Sequence, residues 1–276
     1  MTITVLIDNV LPPNSHYLVA EHGLSFYIET ENKKLLCDTG ASGNFITNAK
    51  AMAIDIARCD FTFISHGHND HCGGVSHFLK TITQQKVYMH NDIPCEQYYS
   101  SRREEKKNIS CDNVIFKEHE SRIKFINGTQ QIDENIFAIQ CNEDKFSKPY
   151  GNCFLTKSNG KKEILDDFKH ELSLAFVTPK GLVIISPCSH NGVLNIIEEC
   201  RKATGCRKIH AFIGGFHFIE SEKCIAETEK FSNYILTHFP DTLFYTGHCT
   251  CDTSKDILSR RLKNITFFKT GTVIRI

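Results

Sequence analysis

The sequence predicts an α+β protein, a four-layer αββα sandwich formed as one domain over residues 1–276, and three observations predict it. Short apolar strand patterns open the chain and return in its middle. From "GLVIISPCSH" onward the pattern alternates strand and helix. No linker or low-complexity tract interrupts either half.

The elements follow in order. "ITVLID", "LSFYIET" and "KKLLCDTG" read as strands separated by turn-rich pieces such as "LPPNSH". "ASGNFITNAKAMAID" puts Phe45, Ala49 and Met52 on one helical face. "DFTFISH" is a short apolar strand, "GGVSHFLKTI" a helix and "KVYMH" a further strand. Residues 92–125 break the rhythm with the charge-dense "EQYYSSRREEKKNISCD", read as a helical excursion or mobile flap, or more plainly as a solvated surface helix. Strands resume at "IKFI", "ENIFAIQ", "CFLTK" and "LSLAFVT". After "GLVIISPCSH" come the helix "NGVLNIIEECRKAT", the strand "KIHAFIGGFHF", the helix "EKCIAETEKFSNYILTHF", the strand "TLFYTGHCT" and the helix "KDILSRRL". "ITFFKTGTVIRI" closes the chain as paired strands.

Lys plus Arg and Asp plus Glu each total 32, so the formal net charge is zero, which disfavours nucleic acid as a partner. No apolar run approaches the roughly 20 residues that cross a bilayer. The opening "MTITVLIDNV" lacks a basic n-region and a cleavage site, so a cytoplasmic location is expected. Thirteen cysteines without a zinc-knuckle framework then read as buried free thiols. Cys249 has a second reading, as a thiolate offered to metal. The expected partner is a small-molecule substrate, not a membrane, and nothing in the sequence sets an oligomeric state.

Four clusters sit on loops that follow apolar strands: "SHGHNDH", "SPCSH", "GGFH" and "YTGHC". In layered α/β proteins such strand ends meet in one crevice. Imidazole suits zinc and iron, and carboxylate adds an anionic oxygen. On an extended loop His66 and His68 grip one ion, while Asp70 and His71 point the other way and grip a second. Asp38, in "CDTG", orients the metal loop or caps a turn. Gly214 and Gly215 offer backbone N–H groups to a phosphate or simply permit the turn that aims His217. Arg102, Arg103, Lys106 and Lys107 meet an anionic substrate or form a solvated face. His22 and His170 receive no functional reading, and His90 reads best as a strand-end surface residue.

"HGHNDH" is an unbroken match to the HxHxDH signature, and with "CDTG", "CSH", "GGFH" and "GHC" in order the chain resembles the metallo-β-lactamase superfamily over essentially its whole length. The resemblance implies the metallo-β-lactamase fold and a metal-dependent hydrolase. Its ligands would be His66, His68 and His190 for one ion, and Asp70, His71 and His248 for the other. The cofactor expected is Zn2+, as one or two ions, with Mn2+ or Fe2+ as alternatives. A metal-bound hydroxide would attack phosphorus or a carbonyl, and Asp70 or His217 would manage the proton.

A narrower likeness is to the dihydropterin–ribofuranosylaminobenzene-phosphate synthases of methanopterin biosynthesis, where "GCSHAG", "GGFHL" and "HCTG" recur. There the metals would neutralise a leaving pyrophosphate while an aromatic carbon attacks. Ser186-Pro187 before "CSH" and Cys251 after "HCT" depart from that pattern. "GGFH" also lacks the aspartate with which most two-metal members bridge their ions, so His217 is either a neutral ligand or an acid–base group. Other readings of the same ligands are an iron-loaded oxygen or redox protein and a non-catalytic metal-dependent ligand sensor.

Overall fold

The apolar runs near the N-terminus become the strands Thr2–Ile7, Ser25–Glu29 and Lys34–Cys37, paired antiparallel in sequence order. Three parallel strands follow at one side, Phe61–Phe63, Lys86–His90 and Ile123–Ile126, and Val273–Arg275 closes the other edge against Thr2–Ile7. Parallel neighbours need a crossover. The helices Asn44–Ala51 and Val75–Thr81 lie in the first two of these connections. Their apolar stripes, including Phe45, Ala49, Val75, Phe78 and Leu79, join one hydrophobic core with Leu36, Ile64 and Val87.

This computed structural model describes residues 1–276, and the sheet containing Thr2–Ile7 belongs to the first of two units. The first unit comprises Met1–Asn127, Phe154–Asp166 and Phe268–Ile276; the second comprises Gly128–Cys153 and Asp167–Phe267.

The first unit also contains a small antiparallel sheet in the order Glu163–Leu165, Leu155–Ser158, Gln97–Ser100, Lys107–Asn108. The 92–125 excursion therefore contributes two strands to this sheet and is helical only in the short pieces Val114–Glu118 and Glu120–Arg122. Tyr98 drives this difference: its ring is completely buried, while the charge-dense residues 101–106 form an exposed turn. The disulfide Cys72–Cys111, with Cα atoms 5.8 Å apart, corrects the expectation that all thiols are free.

The second unit repeats the scheme. Gln130–Asp133, Ile136–Gln140, Leu172–Thr178 and Gly181–Ile185 run antiparallel, then Ile209–Ile213, Leu243–Thr246 and Ile265–Phe267 add in parallel. The helix Val193–Thr204 starts after Gly192 and stops at Gly205, whose φ of +71° is the left-handed cap that glycine adopts cheaply. Its buried stripe Val193, Ile196, Ile197 and Cys200 has helical spacing and enters the core around Phe212, Phe216, Phe231 and Phe244.

The final two strands are not partners. Ile265–Phe267 joins the second unit's sheet and Val273–Arg275 the first's, which corrects the paired reading. The chain between them is held to the first unit: Phe268 packs edge-on against Phe26 at 5.4 Å, and the Thr270 hydroxyl accepts from the Asp8 amide at 2.8 Å. No helix is long and apolar enough to cross a membrane.

Candidate metal centre

The first unit delivers its site at the end of Phe61–Phe63. The chain passes through Ser65, His66, Gly67 and His68 into a single helical turn, Asn69–Cys72. His66, His68 and His71 are buried, with ring centroids 4.6 Å apart for His66 and His68 and 4.2 Å for His66 and His71. His71 thus lies as near to His66 as His68 does. A helical turn, rather than the extended loop expected from the sequence, follows His68. Gly67 is dictated by packing: a Cβ there would lie 2.3 Å from Tyr98 Cε2, and the Tyr98 ring meets His68 edge-on at 5.6 Å.

Asp38 orders this loop. Its carboxylate accepts from the Ser65 amide and the Ser65 hydroxyl, each at 2.7 Å, and lies 2.7 Å from His71 Nδ1. The single hydroxyl proton of Ser65 is thereby committed to Asp38. The 2.8 Å contact between Ser65 Oγ and His66 Nδ1 must then have His66 as the donor. Both His66 and His71 consequently carry their proton on Nδ1, and the neutral rings present the Nε2 lone pair, the form in which imidazole binds metal. Asp70 Oδ2 lies 3.7 Å from His71 Nε2 and 3.4 Å from His22 Nε2.

The second unit carries its own histidines on three parallel strand ends. Gly181–Ile185, Ile209–Ile213 and Leu243–Thr246 are adjacent and run the same way, so His190, His217 and His248 leave one edge of the sheet. Asn152 Nδ2 donates to the His190 carbonyl at 2.8 Å, which fixes the amide orientation, and its Oδ1 sits 3.2 Å from His190 Nδ1. His190 is therefore also Nδ1-protonated. Phe168 stacks on its ring at 4.4 Å, and the His217 ring is 4.0 Å away.

Glu171 accepts from the amides of His190 and Asn191 at 2.7 and 2.8 Å; burial raises its carboxyl above the ordinary range, against the pull of those hydrogen bonds. Cys188 Sγ lies 3.3 Å from His217 Nδ1 and 3.4 Å from Cys249 Sγ. Donor atoms of Cys188, His190 and His217 all fall within 4.8 Å of one another, as do those of Cys188, His248 and Cys249.

Backbone strain gathers at these positions. Asp38, Ser189, His217 and His248 have φ of +59°, +58°, +54° and +46°. A non-glycine residue held there costs on the order of 1–3 kcal/mol, and such residues concentrate where side chains must be aimed. Phe216, fully buried and edge-on to Phe244 at 6.2 Å, anchors the turn that carries His217. Gly214 has φ +144°, and a Cβ on it would lie 1.8 Å from the Ser186 carbonyl oxygen. The amides of Gly214 and Gly215 donate to Tyr245 and Pro187 carbonyls at 3.0 and 2.8 Å. These glycines serve the turn, and their N–H groups are already engaged within the protein.

Sequence reasoning missed several neighbours. Asp166, whose carboxylate is 3.8 Å from His68 Nε2, lies in "LDDFKH", between two apolar strands, where no periodic signal marked it. Glu171 and Asn152 act through backbone amides or ring nitrogens and carry no motif of their own, whereas Cys188 stands inside the quoted "CSH" and is covered only by the general reading of buried thiols. Among the basic residues of the excursion, Lys106 pairs with Glu163 and lies 4.2 Å over the Tyr99 ring, on an exposed face.

The donor set of imidazole, carboxylate and thiol fits a divalent transition metal better than magnesium or calcium, which prefer oxygen ligands. The chain belongs to the metallo-β-lactamase superfamily, whose family model matches residues 18–108. Within that class it is 30% identical over 250 residues to the 7,8-dihydropterin-6-methyl-4-(β-D-ribofuranosyl)-aminobenzene-5'-phosphate synthase of Methanocaldococcus jannaschii, covering 84% of this chain and 81% of that protein. An uncharacterised protein of the same organism is 27% identical over 282 residues, covering 99% of this chain and 100% of its own length. The crystal structure of Tm1679, a metal-dependent hydrolase of the β-lactamase superfamily, superposes with a TM-score of 0.82 at 26% identity, covering 100% of this chain and 99% of that one. The α+β metallo-β-lactamase fold expected from the sequence is therefore the fold of this protein.

Proposed function

We propose that the protein is a metal-dependent hydrolase of a small phosphate- or carbonyl-containing molecule, with His66, His68, Asp70, His71, His190 and His248 as its metal ligands. One observation carries this reading: His66, His71 and His190 are each held at Nδ1 by Ser65, Asp38 and Asn152, which makes Nε2 the ligand atom in all three. The likeness to Tm1679, described as a metal-dependent hydrolase, supports it. A bound Zn2+, Mn2+ or Fe2+ ion supplies Lewis acidity, polarising a substrate oxygen and lowering the pKa of water.

The chain's own residues do the rest. The Asp38–Ser65–His66 hydrogen bonds and the Asp38–His71 contact keep both rings oriented without rearrangement during turnover. Asp70, between His22 and His71, is placed to take up a proton at Oδ2 and pass it to the exposed His22 imidazole. His217, beside His190, is either a further neutral ligand or the second candidate for proton transfer. A cavity of about 110 Å³ lined by Phe146, Leu194, Phe218 and Tyr234, and reached by Gly192 just after His190, would take the non-reacting part of the substrate.

The 30% identity to the aminobenzene-phosphate synthase favours a second reading, a transferase that uses the same ligands. Protein loaded with each metal in turn, assayed on phosphoesters, lactones and β-lactams and for formation of a ribofuranosyl-aminobenzene phosphate, separates the two. Activity lost together with bound metal in His68→Ala and His190→Ala supports the metal-centred reading; full turnover by metal-free His68→Ala overturns it.

A further inference from the structure

The geometry points to Cys188 and Cys249 as thiolate metal ligands, forming with His217 Nδ1 and a His248 ring nitrogen a sulfur-containing site for a thiophilic divalent cation. The inference rests on the reading that the second unit's histidines hold metal, and it adds anionic ligands from that same unit.

With Zn–S of about 2.3 Å and Zn–N of about 2.05 Å, two thiolates on one tetrahedral ion stand roughly 3.8 Å apart, and a thiolate and an imidazole nitrogen roughly 3.6 Å. Cys188 Sγ lies 3.4 Å from Cys249 Sγ and 3.3 Å from His217 Nδ1, so both of these separations are within a few tenths of an ångström of the tetrahedral figures. His248 supplies the fourth position, its donor atom being within 4.8 Å of both sulfurs. Two further observations lead to the same place. The His217 amide donates to Cys249 Sγ at 3.3 Å, the kind of hydrogen bond that holds a thiolate in position. His217 and His248 both adopt left-handed backbone conformations, at φ +54° and +46°, on the turns that carry these donors.

The charge balance explains why thiolates belong here. "GGFH" supplies no carboxylate between His190 and His248, and neutral imidazoles alone leave a dication uncompensated. Two thiols that release their protons to solvent on binding add two negative charges and select Zn2+, Co2+ or Fe2+ over oxygen-preferring Mg2+ or Mn2+.

Cobalt reports on sulfur ligation directly. The reduced full-length protein titrated with Co2+ is expected to develop a near-ultraviolet sulfur-to-cobalt charge-transfer band beside its visible ligand-field bands. Cys188→Ser and Cys249→Ser should each remove roughly half of that band and the double variant all of it, while Cys200→Ser, a buried thiol elsewhere in the core, leaves it unchanged. Zinc-edge X-ray absorption on the wild-type protein needs no variant and should show sulfur scattering at about 2.3 Å. Ligand-field bands without the charge-transfer band, or a zinc shell of nitrogen and oxygen only, overturn the thiolate site and leave the histidine centre standing. Absence of any cobalt band overturns both.

Discussion

Asp38 Oδ2 lies 2.7 Å from His71 Nδ1 and also 2.7 Å from Ser65 Oγ, so one buried carboxylate fixes the tautomers of two histidines, one directly and one through a hydroxyl. Asp38→Asn tests this arrangement with little backbone disturbance, because asparagine tolerates the left-handed φ of +59°. With one acceptor oxygen and an NH2 group in place of two acceptor oxygens, the amide cannot serve all three donors, and metal affinity should fall about 10–100-fold by competitive titration. Asp38→Ala should also destabilise the fold by roughly 3 kcal/mol or more, since three buried donors lose their acceptor. Unchanged affinity in the asparagine variant would mean that Asp38 only caps the turn.

Gly67 and Tyr98 form a second testable pair. Gly67→Ala places a Cβ 2.3 Å from Tyr98 Cε2 and should displace the His66–His68 segment, lowering metal affinity at least as much as the asparagine variant does. Adding Tyr98→Leu should restore part of the loss. A double variant no better than the single one would show that the steric account is wrong.

Gly214→Ala should be among the most damaging substitutions available. Its Cβ would lie 1.8 Å from the Ser186 carbonyl oxygen, and its φ of +144° suits only glycine. A loss on the order of 3 kcal/mol or more is expected, read as a large drop in the thermal midpoint. A midpoint within a degree or two of wild type would contradict the close approach of the two strand ends.

Much of the fold and part of the site are legible in the sequence, for identifiable reasons. Long periodic runs such as "NGVLNIIEECRKAT" declare a helix because one stripe is apolar and glycine stands at both ends. "HGHNDH" declares metal because three imidazoles and a carboxylate in so short a span have few other uses. Strands of two to four residues, such as Lys107–Asn108 and Glu163–Leu165, stay hidden because they bury almost nothing and exist only through pairing. Asp166, Glu171 and Asn152 stay hidden because their roles come from tertiary contacts to His68 and His190. The partners of the last two strands stay hidden because adjacency in sequence suggests a hairpin, whereas Phe268 and Thr270 tie their connection to the first unit.

The buried thiols make a pH prediction. Burial pushes Cys59 and Cys141 up to about 12 and raises Cys37 and Cys200 well above the ordinary thiol value. A group whose folded pKa is raised contributes its stability below the unfolded pKa of about 8.5 and loses it as pH climbs through the folded value. Denaturant midpoints should therefore fall from about pH 8.5 toward 12, and thiol reagents at neutral pH should reach the exposed Cys95 and Cys153 first. Equal labelling of Cys37 and Cys95 in the native protein would contradict the burial.

The central claim is that histidines from separate strand ends serve as transition-metal ligands. The most direct measurement is an anomalous-scattering map, recorded above and below the zinc edge, from crystals grown without chelator. The account predicts strong anomalous density in contact with Nε2 of His66 and strong anomalous density in contact with Nε2 of His190. Peaks only at surface histidines, or no peak in protein supplied with zinc, would contradict it.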